Sequence, residues 1–380
     1  MKALSYGHQD INQNDIQAVI EVLESDYLTQ GPKVEEFEDV LCALMGAKYC
    51  VAVSNGTAAL HIAVAALGVE KGMEGITSPI TFVASANCML YNEITPIFAD
   101  INSKSYNIDP TDVSHKLTPD TRLVIPVHMA GQPADMKAIA MIARKNNLHV
   151  IEDAAHAIGS QYADGSYVGN CEYSDMTTFS FHPVKTITTG EGGAITTNSE
   201  TLYRKLLLLR SHGITNDERV LSSNPGPWYY EMHELGFNYR MSDMQAALGI
   251  SQMSRLIEFK NRRRDIVSYY NSAFAGISWL TPPWEAENLS SCFHLYIIQI
   301  DFQAIKRSRK EVMSYLSAKR VGTQVHYIPV NQLPYYSELN TDKTPNAESY
   351  YDQCLSIPLY PGMRNSDVDK VIKAIISLDK

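Results

Sequence analysis

The sequence predicts an α/β fold: a large domain with a mainly parallel sheet over residues 1–245, then a linking helix and a small α+β unit over residues 246–380. Three observations carry this expectation. Short apolar runs alternate with amphipathic helical stretches from Tyr49 to Ile151, the rhythm of a sheet covered by helices. Two of those runs end abruptly in small polar or acidic residues, at Ser54 and at Asp153, where open parallel sheets hold their ligands. From Ser290 the rhythm changes to a shorter strand, helix, strand, helix series.

The remaining composition bounds the function. With 380 residues, 45% of them hydrophobic and 19% charged, the chain can bury a large core. No window is apolar for long enough to span a bilayer, so no membrane partner is expected. Residues 1–10 lack a signal-peptide core, so a cytoplasmic location is expected. Six scattered cysteines without a C-x-x-C pair suit buried thiols in a reducing compartment, with neither a disulfide framework nor a metal site. A net charge of -10 argues against nucleic acid, which needs a clustered basic face. Two basic clusters, Arg262-Arg263-Arg264 and residues 306–310, read as solvated helix faces or as grips on a phosphorylated ligand.

In chain order, Ile16, Val19, Ile20 and Leu23 share one face of a helix over residues 15–24, and a turn through Gly31-Pro32 leads to a helix over residues 33–45. Residues 49–53 form a buried strand that stops at Ser54-Asn55-Gly56-Thr57 before a helix over residues 58–67. Free backbone N–H groups and the positive end of the helix dipole make that turn an anion site or an ordinary helix cap. It is neither a Walker loop nor a dinucleotide fingerprint. Residues 75–78 lead through Pro79 into a helix carrying Phe82, Val83, Ala86 and Leu90, followed by a strand over residues 95–100. A strand over residues 121–128, a helix over residues 136–146 and a strand over residues 148–151 close on Glu152-Asp153. Asp153 at a strand end reads as functional, and His156 as either ligand-facing or a satisfied, half-buried imidazole.

Residues 177–195 read as strand, polar loop, strand, and the loop carries one lysine, Lys185. A lysine held between two buried strands can be desolvated, which lowers its pKa and lets it condense with an aldehyde. A helix over residues 200–211 follows, then an ordered excursion over residues 222–230 and a single long helix over residues 244–274. Strand-like residues 294–300, helical 309–319, strand-like 324–328 and a terminal helix from Ser366 complete the chain.

One cofactor accounts for the anion turn, the strand-end aspartate and the loop lysine together, namely pyridoxal phosphate. Its phosphate would take Gly56, Thr57 and Ser180; its ring nitrogen, Asp153; its aldehyde, Lys185; and the two faces of its ring, Phe82 and Ala155.

Four ordered strings carry a resemblance. They are Ser54-Asn55-Gly56-Thr57-Ala58-Ala59-Leu60, Glu152-Asp153-Ala154-Ala155-His156-Ala157, Ser180-Phe181-His182-Pro183-Val184-Lys185 with Gly190-Glu191-Gly192-Gly193, and Gly236-Phe237-Asn238-Tyr239-Arg240-Met241. Together they resemble the DegT/DnrJ/EryC1/StrS family of nucleotide-sugar aminotransferases over essentially the whole chain. The resemblance implies fold type I of the pyridoxal-phosphate enzymes (aspartate aminotransferase-like) and a homodimer with active sites at the subunit interface. It also implies L-glutamate as donor, Asn238 reaching the phosphate from the neighbouring subunit, and Arg240 lying close by. Lys185 excludes the dehydratase branch, which carries histidine there. Residues 181–185 and Val325-His326-Tyr327-Ile328-Pro329 resemble most the branch of pseudaminic acid biosynthesis, whose substrate is a UDP-linked 4-keto-6-deoxy sugar. Tyr27, Thr29, Gln30, His182, Arg240 and His326 are candidate sugar or donor contacts, with a structural role equally open for His326. The competing readings are an aminotransferase for another 4-keto or 3-keto nucleotide sugar, a non-catalytic cofactor-binding regulator, and a nucleotide-binding oxidoreductase.

Overall fold

The computed structural model describes residues 3–339 and 342–379, so Met1, Lys2, Asn340, Thr341 and Lys380, which fall within the predicted domain ranges, lie outside the described residues. Two helices precede the sheet: α1 (Gln13–Leu23), started by an Asn12 capping box, and α2 (Pro32–Met45), which ends at Gly46 in the left-handed region. The sheet has seven strands: β1 (Tyr49–Val53), β2 (Glu74–Thr77), β3 (Thr95–Phe98), β4 (Thr121–Ile125), β5 (His149–Asp153), β6 (Met176–Ser180) and β7 (Gly193–Thr197). Their order is β1-β7-β6-β5-β4-β2-β3. Only β7 runs against its neighbours, so the other six are parallel to one another and their carboxyl ends share one edge.

Helices α3 (Gly56–Leu67), α4 (Ala84–Tyr91), α5 (Pro110–His115), α6 (Met136–Asn146) and α7 (Glu200–Arg210) cover the sheet. α3 is apolar nearly all round, and it packs against β6 and β7 as well as against α4 and α7. The predicted strands and helices of this region occur in their predicted order, most of them shifted by one or two residues. A two-stranded ribbon, β8 (Ile214–Thr215) with β9 (Glu231–Met232), anchors the excursion that follows α7.

The long helix expected over residues 244–274 is two helices, α8 (Asp243–Met253) and α9 (Leu256–Phe274). Arg255 has left helical geometry at the break, and its guanidinium is drawn to Asp10 at 2.8 Å and to Asp15 at 2.5 Å. That ion-pair cluster ties the break to the start of α1, which packs on α8.

The C-terminal layer is a three-stranded antiparallel sheet, β10 (Leu280–Thr281), β11 (Tyr296–Ile300) and β12 (Cys354–Ile357). It is flanked by α9, α10 (Arg309–Ala318), the short α11 (Pro334–Ser337), α12 (Pro345–Gln353) and α13 (Asn365–Ile376). Its core is separate, with Tyr270, Tyr296, Ile298, Leu355 and Val371 at its centre. Residues 324–328 are not the strand that was expected. Only Gln324 pairs, with Ser356, and the chain then departs so that Val325, His326 and Tyr327 face a cavity. The Arg262-Arg263-Arg264 cluster is no uniform solvated face either. Arg263 is fully buried, and its Nη1 donates to the carbonyls of Phe293, His294 and Leu359. Residues 262 and 264 lie nearer solvent, Arg264 paired with Glu285 at 2.7 Å.

Candidate active site

A cavity of about 1150 Å³ opens at the shared carboxyl edge of the parallel strands, with residues 324–328 as one wall. Its lining includes Gly56, Thr57, Phe82, Asp153, Ala155, His156, Ser180, His182, Lys185 and His326, all of them predicted.

One end of the cavity is a cradle at the start of α3. Asn55 caps the helix by accepting from the N–H of Ala58 at 2.8 Å, which leaves the first-turn N–H groups of Gly56 and Thr57 without helical partners. Residues 56 and 193 must be glycine here. A Cβ on Gly56 would lie 2.7 Å from the Cβ of Ser180, and one on Gly193 would lie 2.5 Å from the Asn55 carbonyl oxygen. The absent side chains let the helix start sit directly on the ends of β6 and β7, with Ser180 close against Gly56 and both lining the cavity. Free donors, a hydroxyl and the positive helix end in one concave corner fit a phosphate dianion.

At the centre of the edge, strand alternation sends the adjacent carboxyl groups of β5 to opposite sides. Glu152 turns into the core, where it accepts from His128 Nε2 at 2.9 Å, Ser174 Oγ at 2.5 Å, Thr177 Oγ1 at 3.1 Å and the Tyr162 hydroxyl. The Ala134 N–H donates to His128 Nδ1 at 2.9 Å, which fixes the tautomer with its proton on Nε2. Burial alone would raise the Glu152 pKa, but these donors outweigh it and hold the group below the usual range. Asp153 turns to the cavity. Its Oδ2 accepts from Ser85 Oγ at 2.6 Å and its Oδ1 from the Ala155 N–H at 3.1 Å.

Lys185 lies in the loop between β6 and β7, its N–H bonded to the His182 carbonyl at 2.8 Å. The residue is half-buried by surface because the cavity reaches it, yet protein closes round its ammonium. Desolvation lowers its pKa to about 8, against the partial opposition of the Asp153 charge. His156 is buried with Nε2 3.2 Å from the Tyr327 hydroxyl, and its Nδ1 has no hydrogen-bond partner among the described residues. Burial and the neighbouring Lys185 and His326 hold it well below its ordinary pKa, so it is a neutral imidazole facing the cavity. His326 is buried too, its Nδ1 2.7 Å from Ser356 Oγ. Burial, and then Lys185, push its pKa down to about 3.

The other predicted contacts lie elsewhere. Tyr27, Thr29 and Gln30 are exposed and stand away from the cavity lining of their own chain, where Thr29 bridges to Ser242. Asn238 is exposed and bridges to Ser211, and half-buried Arg240 bridges to Val53; neither lines the cavity of its own chain. Phe82 lines the cavity while remaining 59% exposed. Sequence reading missed Tyr6, His61, Tyr239 and Tyr327 in the lining, and Ser85 behind Asp153. The Phe237-Asn238-Tyr239 string flagged its neighbourhood, but nothing local marked Ser85.

A phosphate cradle, a strand-end aspartate and a desolvated lysine around one cavity on a mainly parallel sheet define a pyridoxal-phosphate-dependent transferase. Residues 9–376 match the DegT/DnrJ/EryC1/StrS aminotransferase family, and the chain belongs to it. Among its relatives is the spore coat polysaccharide biosynthesis protein SpsC of Bacillus subtilis, 42% identical over 381 residues, covering 99% of this chain and 97% of that protein. Among solved structures, Helicobacter pylori PseC, an aminotransferase involved in the biosynthesis of pseudoaminic acid, superposes with a TM-score of 0.92 at 30% identity, covering 99% of both chains. A putative sugar aminotransferase of Streptococcus pneumoniae, Spr1654, in its pyridoxal-phosphate form gives 0.91 at 28% identity, covering 99% of this chain and 98% of that one. The same protein is also solved in its pyridoxamine-phosphate form. The present chain is accordingly a sugar aminotransferase that depends on pyridoxal phosphate.

Proposed function

We infer that this enzyme moves an amino group from L-glutamate to C4 of a UDP-linked 4-keto-6-deoxy sugar in pseudaminic acid biosynthesis, working as a cytoplasmic homodimer. The carrying observation is Lys185, lowered to about 8 and lining one cavity with Asp153 and the Gly56 cradle. The likeness to PseC over 99% of both chains supports the choice of sugar.

Bound pyridoxal phosphate supplies an aldehyde carbon that carries nitrogen and a ring that takes up the electron pair left when a C–H bond is broken. Lys185 Nζ moves the proton at glutamate Cα and, in the second half-reaction, the proton at the sugar carbon that receives nitrogen. At pH 7 about a tenth of an amine with pKa near 8 is neutral, against about one in three thousand at pKa 10.5, so desolvation supplies the base. Asp153 holds the ring nitrogen protonated. Gly56, Thr57 and Ser180 hold the phosphate, with Asn238 of a second copy reaching it across the interface. His156, Phe82 and Ala155 bound the ring, while His182, His326, Arg240 and the segment of Tyr27, Thr29 and Gln30 surround the sugar or donor. Residues 1–245 form the cofactor-binding domain in this reading, and residues 246–380 the second.

A second reading, amination of another keto nucleotide sugar, draws support from the higher identity to SpsC, 42%, a protein of spore coat polysaccharide biosynthesis. The test incubates the protein with glutamate and a panel of UDP- and dTDP-linked keto sugars, following 2-oxoglutarate and identifying the product by NMR. A 4-amino-6-deoxy UDP-sugar as the preferred product supports the first reading. Turnover confined to dTDP-sugars or to 3-keto sugars replaces it with the second.

A further inference from the structure

Behind Asp153 stand two hydroxyls that the reaction as derived does not use. Ser85, in the first turn of α4, is fully buried, and Thr81, four residues earlier, is 3% exposed and reaches the cavity wall. Ser85 Oγ lies 2.6 Å from Asp153 Oδ2 and also 2.6 Å from Thr81 Oγ1.

A hydroxyl has one proton to give, and a carboxylate can only accept. The charge-assisted bond takes the Ser85 proton, so the Thr81 hydroxyl donates to Ser85 and the chain runs Thr81 to Ser85 to Asp153 in one direction. The longer contact of Ser85 Oγ with the Phe82 carbonyl, 3.3 Å, does not compete for that proton. Among the described residues, Asp153 receives on its other oxygen the Ala155 N–H, and Ser85 is one of its two hydrogen-bond donors.

We propose that Thr81 and Ser85 are positioning residues for the reaction: through the chain of hydrogen bonds they aim the Asp153 carboxylate at the ring nitrogen. The inference rests on the function proposed above. Removal of the Ser85 hydroxyl frees the carboxylate to turn away from the ring nitrogen, which would leave that nitrogen less protonated and the ring a weaker electron acceptor, without touching Lys185 or the phosphate cradle.

The test loads wild type, Ser85→Ala, Ser85→Thr and Thr81→Val with pyridoxal phosphate labelled with 15N in the ring and reads the 15N resonance alongside kcat. Ser85→Ala should shift the resonance towards that of a neutral pyridine and lower kcat roughly ten- to a hundredfold. Thr81→Val should move both in the same direction by roughly two- to threefold in rate, because it weakens the Ser85 bond without removing it. Ser85→Thr should restore the wild-type resonance. In the Ser85→Ala background, Thr81→Val should add nothing, since Thr81 acts through Ser85. Melting of the cofactor-free proteins reports folding, and should Ser85→Ala not fold, Thr81→Val carries the test. A wild-type protein that takes up no labelled cofactor overturns both readings. A wild type with a protonated ring nitrogen, beside a Ser85→Ala or Thr81→Val variant whose resonance and kcat are unmoved, overturns the relay alone.

Discussion

The floor of the cavity and the outer rim of the molecule, formed by the excursion after α7, are built on opposite plans. At the floor, Gly56, Asp153 and Ser180 sit at strand ends or a helix start and Lys185 in the loop between β6 and β7, and the Asp153 carboxylate, the helix start and the Lys185 backbone are held by hydrogen bonds within the chain. At the rim, the excursion after α7 leaves Trp228 73%, Leu235 79% and Tyr230 59% exposed, and Tyr27 on a separate segment is 57% exposed. Side chains of that size are rarely left to water together without a partner. The floor is preorganised by one chain, and the rim has the character of a surface awaiting a second, as the proposed homodimer requires.

Four experiments break or sharpen this contrast. Replacement of Lys185 by alanine should lower turnover by at least ~10³-fold, measured as 2-oxoglutarate formed from glutamate, because the proton carrier is lost. Glutamate at each of Trp228 and Leu235 should convert the protein to a monomer in sedimentation and cost roughly tenfold or more in rate, while the cofactor-free melting temperature stays near wild type. A rim double variant that remains dimeric would remove the contrast. Gly56→Ala should lower cofactor affinity roughly tenfold by forcing Ser180 out of the cradle, as read by equilibrium dialysis, with oligomeric state unchanged.

The smallest effect is a pH dependence of stability. Lys185 titrates near 8 when folded and near 10.5 when free, so between those values the unfolded chain binds more protons and stability rises with pH. Below about pH 8 the penalty is fully present. Cofactor-free Lys185→Met should therefore melt higher than wild type at pH 7, and the gap should narrow as pH rises from 8 to 10.5. A gap that is constant over that range would mean that the amine is not desolvated.

The floor was legible in the sequence and the rest was less so, for physical reasons. Asp153 and the Ser54-Asn55-Gly56-Thr57 turn each sit where an apolar run stops, which marks a strand end without any knowledge of tertiary contacts, and Lys185 stands out as the one lysine of the polar loop that follows such a run. Arg263 looked like part of a charged surface because its partners, the carbonyls of residues 293, 294 and 359, are remote in sequence. The break at Arg255 depends on Asp10 and Asp15, some 240 residues away, and helical periodicity continues through it. Ser85 and Thr81 have the spacing of any polar pair at a helix start, and only the sheet brings Asp153 against them.

The buried guanidinium of Arg263 has a mechanical corollary. It clasps the backbone at His294, and the ring of His294 packs on that of His156 with centroids 4.5 Å apart. The C-terminal layer is thus joined to the reaction chamber by a buried hydrogen bond and a ring contact, beyond the chain connection itself. Loosening that joint by substitution of Arg263 should therefore disturb the cavity wall at His156 as well as the C-terminal core.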